Sequence, residues 1–426
     1  MNTAQRHIVF ATTGSLGDLH PFLALGCELK RRGHRVSVAT SAMHRHPVAE
    51  AGLGFRHMRP DPDNTPAFHA RYMHPKTGGE FVYRHYLGPS IRASYADLSL
   101  ATQDADMLIS QSLMALAAPL VAAKTGISWV SAVLQPMSFF SVHERPNYLP
   151  FPLLPWICGR SPELHGQVFH YVKKHTATWV QPILELKQEL GIAQQDHPMY
   201  EGQHSPACVL AMFSPLLGRP QPDWPKSAVQ TGTALYLPGE AGLPERLAKF
   251  LRQKSTPLAI FTLSSAASND AGGFYRESLR AASSLGMRAL LVTGGGASST
   301  GLPDPLPDSA FRIDYAAFEA IFPYADVIVH SGGVATSFKA LQAGKPQIVV
   351  PHAHDQRDNA MRLQQHGVAI VIDRRNASKR TLRKALMRAL ADKAMQGKAA
   401  DLASQTRHED GVVQACNVIE SLLTHA

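Results

Sequence analysis

The sequence predicts an α/β protein with two doubly wound halves, each organised around a parallel sheet. Short apolar segments rich in β-branched residues, such as residues 7–11 and 325–329, are typical of buried strands. A glycine turn follows each of these two segments, and a helical segment follows each turn. Because parallel strands need crossover connections, the recurrence of this order along the 426-residue chain favours two doubly wound domains.

The first half of the chain predicts one such sheet and ends at a proline-rich segment. Its predicted strands are residues 7–11, 35–39, 105–109, 128–133 and 209–213, and its helices include residues 113–123 and 168–190. The polar segment 218–226 contains several prolines and is typical of an interdomain linker. We therefore expect a first domain over residues 1–217.

The second half repeats the pattern and ends in a separate helix. Its predicted strands are residues 258–263, 289–293, 311–313, 325–329 and 346–350, and its helices include residues 273–286, 336–344 and 382–390. Residues 294–296 are three glycines, but the GxGxxG spacing of a dinucleotide fingerprint is absent. We expect a second domain over residues 227–407 and a C-terminal helix within residues 408–426.

The chain carries a net charge of +9, yet its basic residues do not form a nucleic-acid site. They are spread over many predicted helices without interleaved aromatic residues, so nucleic acid is not an expected partner. A positive field of this kind attracts phosphorylated ligands and, weakly, anionic bilayer surfaces. The oligomeric state does not follow from the sequence.

Cysteine usage and the amino terminus indicate the cellular compartment. The four cysteines, Cys27, Cys158, Cys208 and Cys416, are scattered and form no CxxC pair, which favours reduced thiols and argues against a metal site. Residues 1–7 are polar, with no signal peptide, and no apolar run reaches the roughly 18 residues of a membrane helix. We expect a cytoplasmic protein, at most peripheral to the membrane.

A strand, a glycine turn and a helix start follow one another around His330. The pair Gly332-Gly333 lets the chain turn tightly into a helix that carries Thr336 and Ser337 in its first turns. The first N–H groups of a helix have no intrahelical partners, and the macrodipole adds partial positive charge there. The segment therefore suits an anion such as a pyrophosphate, unless the glycines form an ordinary loop.

A second polar pair follows the next predicted strand. Asp355 and Gln356 come after residues 346–350, so they emerge at the same carboxyl edge of the sheet, where ligands bind in open α/β folds. A carboxylate and an amide at this place can bind sugar hydroxyls. The plain alternative is a solvated turn.

The first half offers an acidic residue at the matching position. Asp18 and His20 lie just beyond the first predicted strand, at the start of the following helix. A carboxylate at this edge faces a ligand site and can act as a general base. Asp18 can equally be an acid that the helix dipole stabilises, and His20 can be a surface histidine.

These motifs carry a family resemblance that covers essentially the whole chain. The pattern from His330 to Ser337, the pair Ala343-Gly344, and Asp355-Gln356 near Asn359 resemble the donor signature of plant UDP-dependent and bacterial antibiotic glycosyltransferases. Residues 14–21 resemble the acceptor-side signature of the same family. The resemblance implies the GT-B fold, with two Rossmann-like domains facing across a cleft and the C-terminal helix packed back on the first domain.

The resemblance also implies an activity and roles for residues. The activity is inverting transfer of a hexose from a dTDP- or UDP-sugar to an acceptor hydroxyl, with no cofactor and no metal. Asp18 stands where the family places its base, with His20 as the second candidate, and no acidic relay partner occurs at residues 110–112. The implied donor-binding residues are Ser265, Tyr315, Ala316, His330, Gly332, Gly333, Thr336, Ser337, Asp355 and Gln356.

Within this family the chain most resembles the rhamnolipid-forming rhamnosyltransferases. Residues 74–77, residues 222–225 ahead of Thr231-Gly232, and residues 353–356 carry this likeness. Ala335 and Ser264 stand where bacterial relatives usually carry glycine, and both add bulk near the phosphates. These two departures leave open a hexose epimerase of the same fold and a non-catalytic accessory subunit.

The lipophilic segment 136–156 is the candidate acceptor site. Five prolines prevent a regular helix, and the segment either lines a pocket for an apolar acceptor or packs on the sheet edge. We expect a hydroxylated lipid or natural-product acceptor held by aromatic rings. The candidate rings are Phe139, Phe140, Phe151 and Trp156.

Overall fold

The computed structural model describes residues 5–63, 65–147, 154–193, 196–237, 242–253, 255–294 and 301–424. The chain divides into two compact units. The first unit comprises Met1–Tyr72, Lys76–Tyr236 and Asp410–Ala426, and the second comprises Met73–Pro75 and Leu237–Glu409. Each unit contains one parallel sheet with helices, which confirms the predicted fold class.

The first unit is built on a seven-stranded sheet. Its strands are β1 (His7–Ala11), β2 (Arg35–Thr40), β3 (Gly54–His57), β4 (Met107–Gln111), β5 (Ser128–Val133), β6 (Val209–Ala211) and β7 (Ala228–Gln230). They pair in parallel in the order β3-β2-β1-β4-β5-β6-β7. The central place of β1 brings the ends of β2, β1 and β4 together at one edge.

Nine α-helices lie between these strands in the part of the first unit that the structure describes. They are α1 (Leu16–Arg31), α2 (Arg45–Glu50), α3 (Pro66–Tyr72), α4 (Gly78–Phe81), α5 (Ile91–Ala101), α6 (Ala118–Thr125), α7 (Leu154–Cys158), α8 (Pro162–Thr176) and α9 (Gln181–Glu189). Alternate residues of β1 enter two different cores. Ile8 and Phe10 pack in one buried cluster, and Val9 and Ala11 pack in the other. The sheet is therefore covered on both faces.

Two strands of this sheet have no counterpart in the sequence-based prediction. In β3 all four residues are exposed or half-buried, so no apolar pattern marks it. The strand β7 lies beyond the segment that we expected to be a linker, and it pairs with β6. It has only three residues, none of them buried. Edge strands this short carry too little periodicity to be predicted.

The second unit is built on a six-stranded parallel sheet. Its strands are β8 (Leu258–Thr262), β9 (Arg288–Val292), β10 (Ala310–Ile313), β11 (Val327–His330), β12 (Gln347–Val349) and β13 (Ala369–Val371), in the order β10-β9-β8-β11-β12-β13. Its helices are α10 (Glu245–Arg252), α11 (Ser265–Ser268), α12 (Phe274–Ser283), α13 (Phe318–Ile321), α14 (Val334–Gln342), α15 (Gln356–Gln365), α16 (Lys379–Ala391) and α17 (Lys393–Thr406). The adjacent strands β8, β11 and β12 bring their carboxyl ends together.

The last helix, α18 (Gly411–Thr424), belongs to the first unit. Its residues Cys416 and Ile419 lie in the same buried cluster as Phe22 and Leu25 of α1. Arg32 donates to Glu420 at 2.6 Å, just beyond the end of α1. Among the described residues, no helix is both long enough and apolar enough to cross a membrane.

Candidate active site

Asp18 lies in the first turn of α1, at the carboxyl edge of the first sheet. Ser15 is the N-cap of this helix, and Asp18 accepts a hydrogen bond from the Ser15 backbone N–H at 2.8 Å, which completes a capping box. Gly14 has a φ of 104°, and a Cβ atom at this position would lie 2.5 Å from the Asp18 carboxylate. The turn therefore requires glycine for the Asp18 carboxylate to lie where it does.

Three hydrogen bonds hold the Asp18 carboxylate. Oδ2 accepts from the Ser15 N–H and, at 3.0 Å, from the Ser15 hydroxyl. Oδ1 accepts from the Gln111 side-chain amide at 2.7 Å. Burial raises the pKa of Asp18 above its ordinary value of 3.8, and these donors oppose that effect. A carboxylate with a raised pKa is a stronger base than an exposed aspartate.

Gln111 is a residue of this site that the sequence analysis missed. It is the last residue of β4 and is almost fully buried, with 2% of its surface exposed. Residues 110–112 hold no acidic relay partner, and the amide of Gln111 takes the place next to Asp18 instead. The available signal was a polar side chain at the end of a buried strand next to β1.

The second candidate base, His20, is two residues further along α1. Its ring lies 5.3 Å from the Tyr236 ring, at an angle of 41° between the ring planes. His20 is half-buried. The structure therefore places both candidate bases on the first two turns of one helix, and the general-base role of Asp18 stays a prediction.

In the second unit, the predicted glycine turn joins β11 to α14. Gly332 has a φ of 93°, and a Cβ atom there would lie 2.8 Å from the Gln356 carbonyl oxygen, so the turn requires glycine. Gly333 is the N-cap of α14. The Ser337 N–H donates to the Gly333 carbonyl at 2.9 Å, within the helix. The backbone N–H groups of Thr336 and Ser337 were the predicted donors to the diphosphate. Only the N–H of Thr336 is among the first three N–H groups of α14, which have no partner within the helix.

The His330 ring is fully buried behind this turn. Its Nδ1 accepts from the Gly332 N–H at 3.0 Å, and its Nε2 donates to the Gln347 side chain at 2.8 Å. Burial lowers the pKa of His330 to about 4, so the ring is neutral at neutral pH. In this structure the His330 ring fixes the shape of the glycine turn.

Side-chain hydrogen bonds connect the loops that follow β8, β11 and β12. The Ser331 hydroxyl accepts from the Ser264 N–H at 2.9 Å, and the Ser264 hydroxyl accepts from the Gln356 amide at 3.1 Å. Asn359 donates to the Gly332 carbonyl at 2.9 Å and to the Asp355 carboxylate at 2.7 Å. Ser264 thus connects the glycine turn after β11, through Ser331, with the loop after β12, through Gln356. The sequence had indicated only its added bulk.

The two residues predicted to bind the sugar differ in their contacts. Gln356 is 4% exposed, and its side-chain oxygen accepts from the His352 N–H at 2.8 Å while its nitrogen donates to Ser264. Both of its polar groups are therefore engaged within the protein. The half-buried Asp355 is the better placed of the two to contact a ligand.

The remaining predicted donor residues lie on the loops that follow β8 and β10. Ser265 is the first residue of α11, directly after the N-cap Ser264, and it is half-buried. Tyr315 follows β10 and is 61% exposed, whereas Ala316 is buried in the core of the second unit. An exposed ring at Tyr315 is available to stack on a base, and this role stays a prediction.

The structure does not bring the predicted acceptor rings into one group. Phe139 stacks on Trp224 with 3.9 Å between ring centroids, whereas the adjacent Phe140 packs edge-to-face on Tyr200 at 4.9 Å. Trp156 is 51% exposed, with the Arg160 guanidinium 3.4 Å from its ring centroid. Phe151 lies outside the described residues.

The motif at residues 222–225 has a structural role on this loop. Asp223 accepts from the Ser141 hydroxyl at 2.7 Å and from the Val142 N–H at 2.8 Å. Together with the Phe139–Trp224 stack, these bonds fix the beginning of the loop after β5. That part of the loop matches the plain alternative of packing on the sheet.

Comparisons with known proteins agree with this architecture. The structure resembles that of the calicheamicin glycosyltransferase CalG4, with a TM-score of 0.73, 19% identity and 99% of each chain covered. At this identity the likeness shows the fold, and the fold is GT-B. Two family models match parts of the chain: the glycosyltransferase family 28 N-terminal domain over residues 8–85 and the erythromycin biosynthesis protein CIII-like C-terminal domain over residues 291–417.

Two proteins with similar sequences are also named as sugar transferases. The chain is 26% identical over 451 residues to the sterol 3-beta-glucosyltransferase of Candida albicans, an alignment that covers 99% of this chain and 28% of that protein. It is 28% identical over 437 residues to the O-mycaminosyltylonolide 6-deoxyallosyltransferase of Streptomyces fradiae, covering 97% and 96%. The chain thus spans less than a third of the sterol enzyme's length.

These matches support the glycosyltransferase family 28 and EryCIII-like antibiotic glycosyltransferase family for this chain. The finer likeness to the rhamnolipid-forming rhamnosyltransferases stays a prediction.

Proposed function

We propose that this protein is an inverting glycosyltransferase that moves a hexose from a dTDP- or UDP-sugar to a hydroxyl of a lipophilic acceptor. The observation that carries the proposal is the position of Asp18, a partly buried carboxylate with a raised pKa at the carboxyl edge of the first sheet. The names of the relatives, which include sterol and tylonolide sugar transferases, support the reaction class.

Single displacement at the anomeric carbon requires a base for the acceptor proton. Asp18 takes this role in the proposal, and its ionised form accepts the proton as the acceptor oxygen attacks the sugar. Burial makes the carboxylate more basic, while the hydrogen bonds from Ser15 and Gln111 favour its ionised form. A base matched in this way contributes roughly a hundred- to ten-thousand-fold to the rate.

The leaving diphosphate needs stabilisation at the same time. The glycine turn and the first N–H groups of α14 supply partial positive charge and donors, and the Ser265 hydroxyl adds another donor. In the proposal this set takes the place of a metal ion. Asp355 holds the sugar hydroxyls, because its neighbour Gln356 is engaged with Ser264 and the His352 N–H.

The acceptor in this proposal is a hydroxylated lipid or a natural-product aglycone. The half-exposed Trp156 is the described ring of the predicted set with the most surface to offer such a ligand. Burial of one aromatic ring removes about 150 to 250 Å² from water. A lipophilic acceptor and a net charge of +9 together favour a cytoplasmic protein in loose contact with the anionic inner membrane surface.

The test combines ligand binding with product formation. The melting temperature is measured with UDP-glucose, dTDP-glucose and dTDP-rhamnose, and the stabilising donor is then assayed with ergosterol and 3-hydroxydecanoic acid. We expect one donor to raise the melting temperature, since a ligand that binds only the folded state stabilises it. We also expect a glycosylated product of inverted anomeric configuration.

Two glycine substitutions provide a test of the donor site and a matched control. Gly332→Ala places a Cβ atom 2.8 Å from a backbone oxygen and should abolish the donor-induced shift. Gly397→Ala, in α17, meets no atom within 4 Å and should keep it. Absence of transfer with every donor and acceptor, or a product of retained configuration, would overturn the proposal.

A further inference from the structure

We infer that Gln111 is a positioning residue for the Asp18 carboxylate, which it orients and keeps in the ionised state through a side-chain hydrogen bond. This inference rests on the proposed role of Asp18 as the base. It assigns a task to a residue that sequence patterns leave unassigned, because β4 and α1 are distant along the chain.

A short relay of side chains fixes the Gln111 amide. The Thr12 hydroxyl, directly after β1, donates to the Gln111 side-chain oxygen. The Gln111 nitrogen then donates to Asp18 Oδ1 at 2.7 Å. Thr12 is fully buried and Gln111 is 2% exposed. An ionised carboxylate accepts hydrogen bonds only, so it selects the orientation in which the amide nitrogen faces it.

The contacts leave one direction for a substrate proton. A carboxylate offers about four acceptor positions on its two oxygens. Ser15 occupies both positions on Oδ2 through its N–H and hydroxyl, and Gln111 occupies one on Oδ1. The hydroxyl of the sugar acceptor therefore approaches the remaining lone pair of Oδ1. The position of the Gln111 amide determines which of the two lone pairs this is.

Gln111 also opposes the effect of burial on the charge. Burial favours the protonated acid, whereas a donor that is bound to the carboxylate favours the ionised base. Two titratable side chains of other segments interact with Asp18: His44, which lies after β2 and favours the ionised form, and Tyr86. Burial lowers the pKa of His44 and raises that of Tyr86, so neither carries its charge readily near neutral pH. The hydrogen bonds from Ser15 and Gln111 thus carry most of the stabilisation.

The test compares Gln111→Met, which removes the donor and keeps the length, with Gln111→Glu, which puts a second carboxylate beside Asp18. Both should lower kcat/KM about tenfold or more at pH 7. The acidic limb of the kcat/KM profile should move up by about one pH unit in Gln111→Met. It should move further in Gln111→Glu, because two neighbouring carboxyl groups do not both ionise readily.

Ser110→Ala is the matched control on the same strand. Ser110 is also 2% exposed, and it accepts one hydrogen bond, from the Trp129 indole at 2.8 Å. This variant should lower the melting temperature without moving the pH limb. A merely structural role for Gln111 predicts the same result for Gln111→Met as for Ser110→Ala, and that outcome overturns the inference.

A double-mutant cycle on stability tests the coupling without any substrate. When Asp18 is present, Gln111→Met should steepen the fall in the free energy of unfolding as the pH rises. The reason is that loss of the amide donor raises the pKa of Asp18 further. The steepening should vanish in the Asp18→Asn background. If it persists there, Gln111 does not act through Asp18. If instead the cycle shows coupling but Asp18→Asn transfers sugar normally, the proposed function fails at its base while the Gln111–Asp18 contact stands.

Discussion

One side chain, Asp18, serves both the helix and the proposed chemistry. Its carboxylate closes the capping box of α1, and it also lies at the sheet edge where the proposed reaction needs a base. The two roles are compatible because the cap uses Oδ2, whereas Oδ1 accepts one hydrogen bond, from Gln111, and keeps a second acceptor position. The structure thus explains why an acid is suited to the third residue of this helix.

The substitution Asp18→Asn should abolish transfer and leave nucleotide binding intact. Loss of a general base lowers turnover roughly a hundred- to ten-thousand-fold. The asparagine oxygen can still accept from the Ser15 N–H, so the cap survives in part and the melting temperature should change little. The measurements are turnover, donor-induced melting shift and thermal stability. Near-normal turnover in Asp18→Asn together with an inactive His20→Ala would transfer the base assignment to His20.

At the scale of elements, the lipophilic segment after β5 has a fixed beginning and, further along in α7, one exposed ring. Phe139 stacks on Trp224, and Asp223 accepts two hydrogen bonds from Ser141 and Val142. The helix α7, which follows residues outside the described part of the chain, instead presents Trp156 to solvent. Phe139 therefore tests the interpretation that this lipophilic segment packs on the protein. Trp156 tests the interpretation that it binds an apolar acceptor.

Phe139→Ala and Trp156→Ala should separate these interpretations. Phe139→Ala removes a packed, half-buried ring and should lower the free energy of unfolding, by less than the about 3 to 5 kcal/mol typical of a fully buried phenylalanine. Trp156→Ala removes a half-exposed ring and should leave the free energy of unfolding nearly unchanged while it raises the KM of a lipophilic acceptor severalfold. Urea titration and acceptor kinetics give the two quantities. Unchanged acceptor KM in Trp156→Ala would mean that this ring does not hold the acceptor.

The start of α14 supports a prediction about the donor. His330→Ala removes the acceptor of the Gly332 N–H and the partner of Gln347 in a fully buried place, which costs about 1 to 3 kcal/mol per unsatisfied group. The glycine turn should loosen, and the donor KM should rise about tenfold or more. EDTA should leave the wild-type rate unchanged, because the helix start stabilises the diphosphate in the proposal. An enzyme that EDTA silences and magnesium restores contradicts this mechanism.

At the scale of the whole molecule, the sequence predicted the strands that carry a clear signal. The strands β1 and β5 have the bounds that their apolar segments predicted, and His7–Ala11 is buried throughout. The strands β3 and β7 were missed because they are short and lack buried residues. Site residues on a motif could be proposed from the motif's spacing together with the family resemblance. Gln111 and Ser264 could not, because their partners Asp18 and Gln356 are brought to them only by the pairing order of the strands.

Buried ionisable groups give the whole molecule a predictable dependence of stability on pH. Burial lowers the pKa of His330 and of His352 to about 4, from an ordinary value of 6.5. In the unfolded chain these rings take up protons below about pH 6.5, whereas in the folded protein they stay neutral until about pH 4. Their contribution to stability is present above pH 6.5 and is lost as the pH falls through this window. Asp18 has the opposite sign, because its raised pKa removes stability as the pH rises.

The free energy of unfolding should therefore fall by about 2 kcal/mol for each of these histidines between pH 7 and pH 5. His352→Gln removes one titrating group and should flatten the curve by that amount. Urea denaturation at half-unit pH steps measures both curves. Identical slopes for the wild type and His352→Gln would mean that His352 is not held neutral in the folded state.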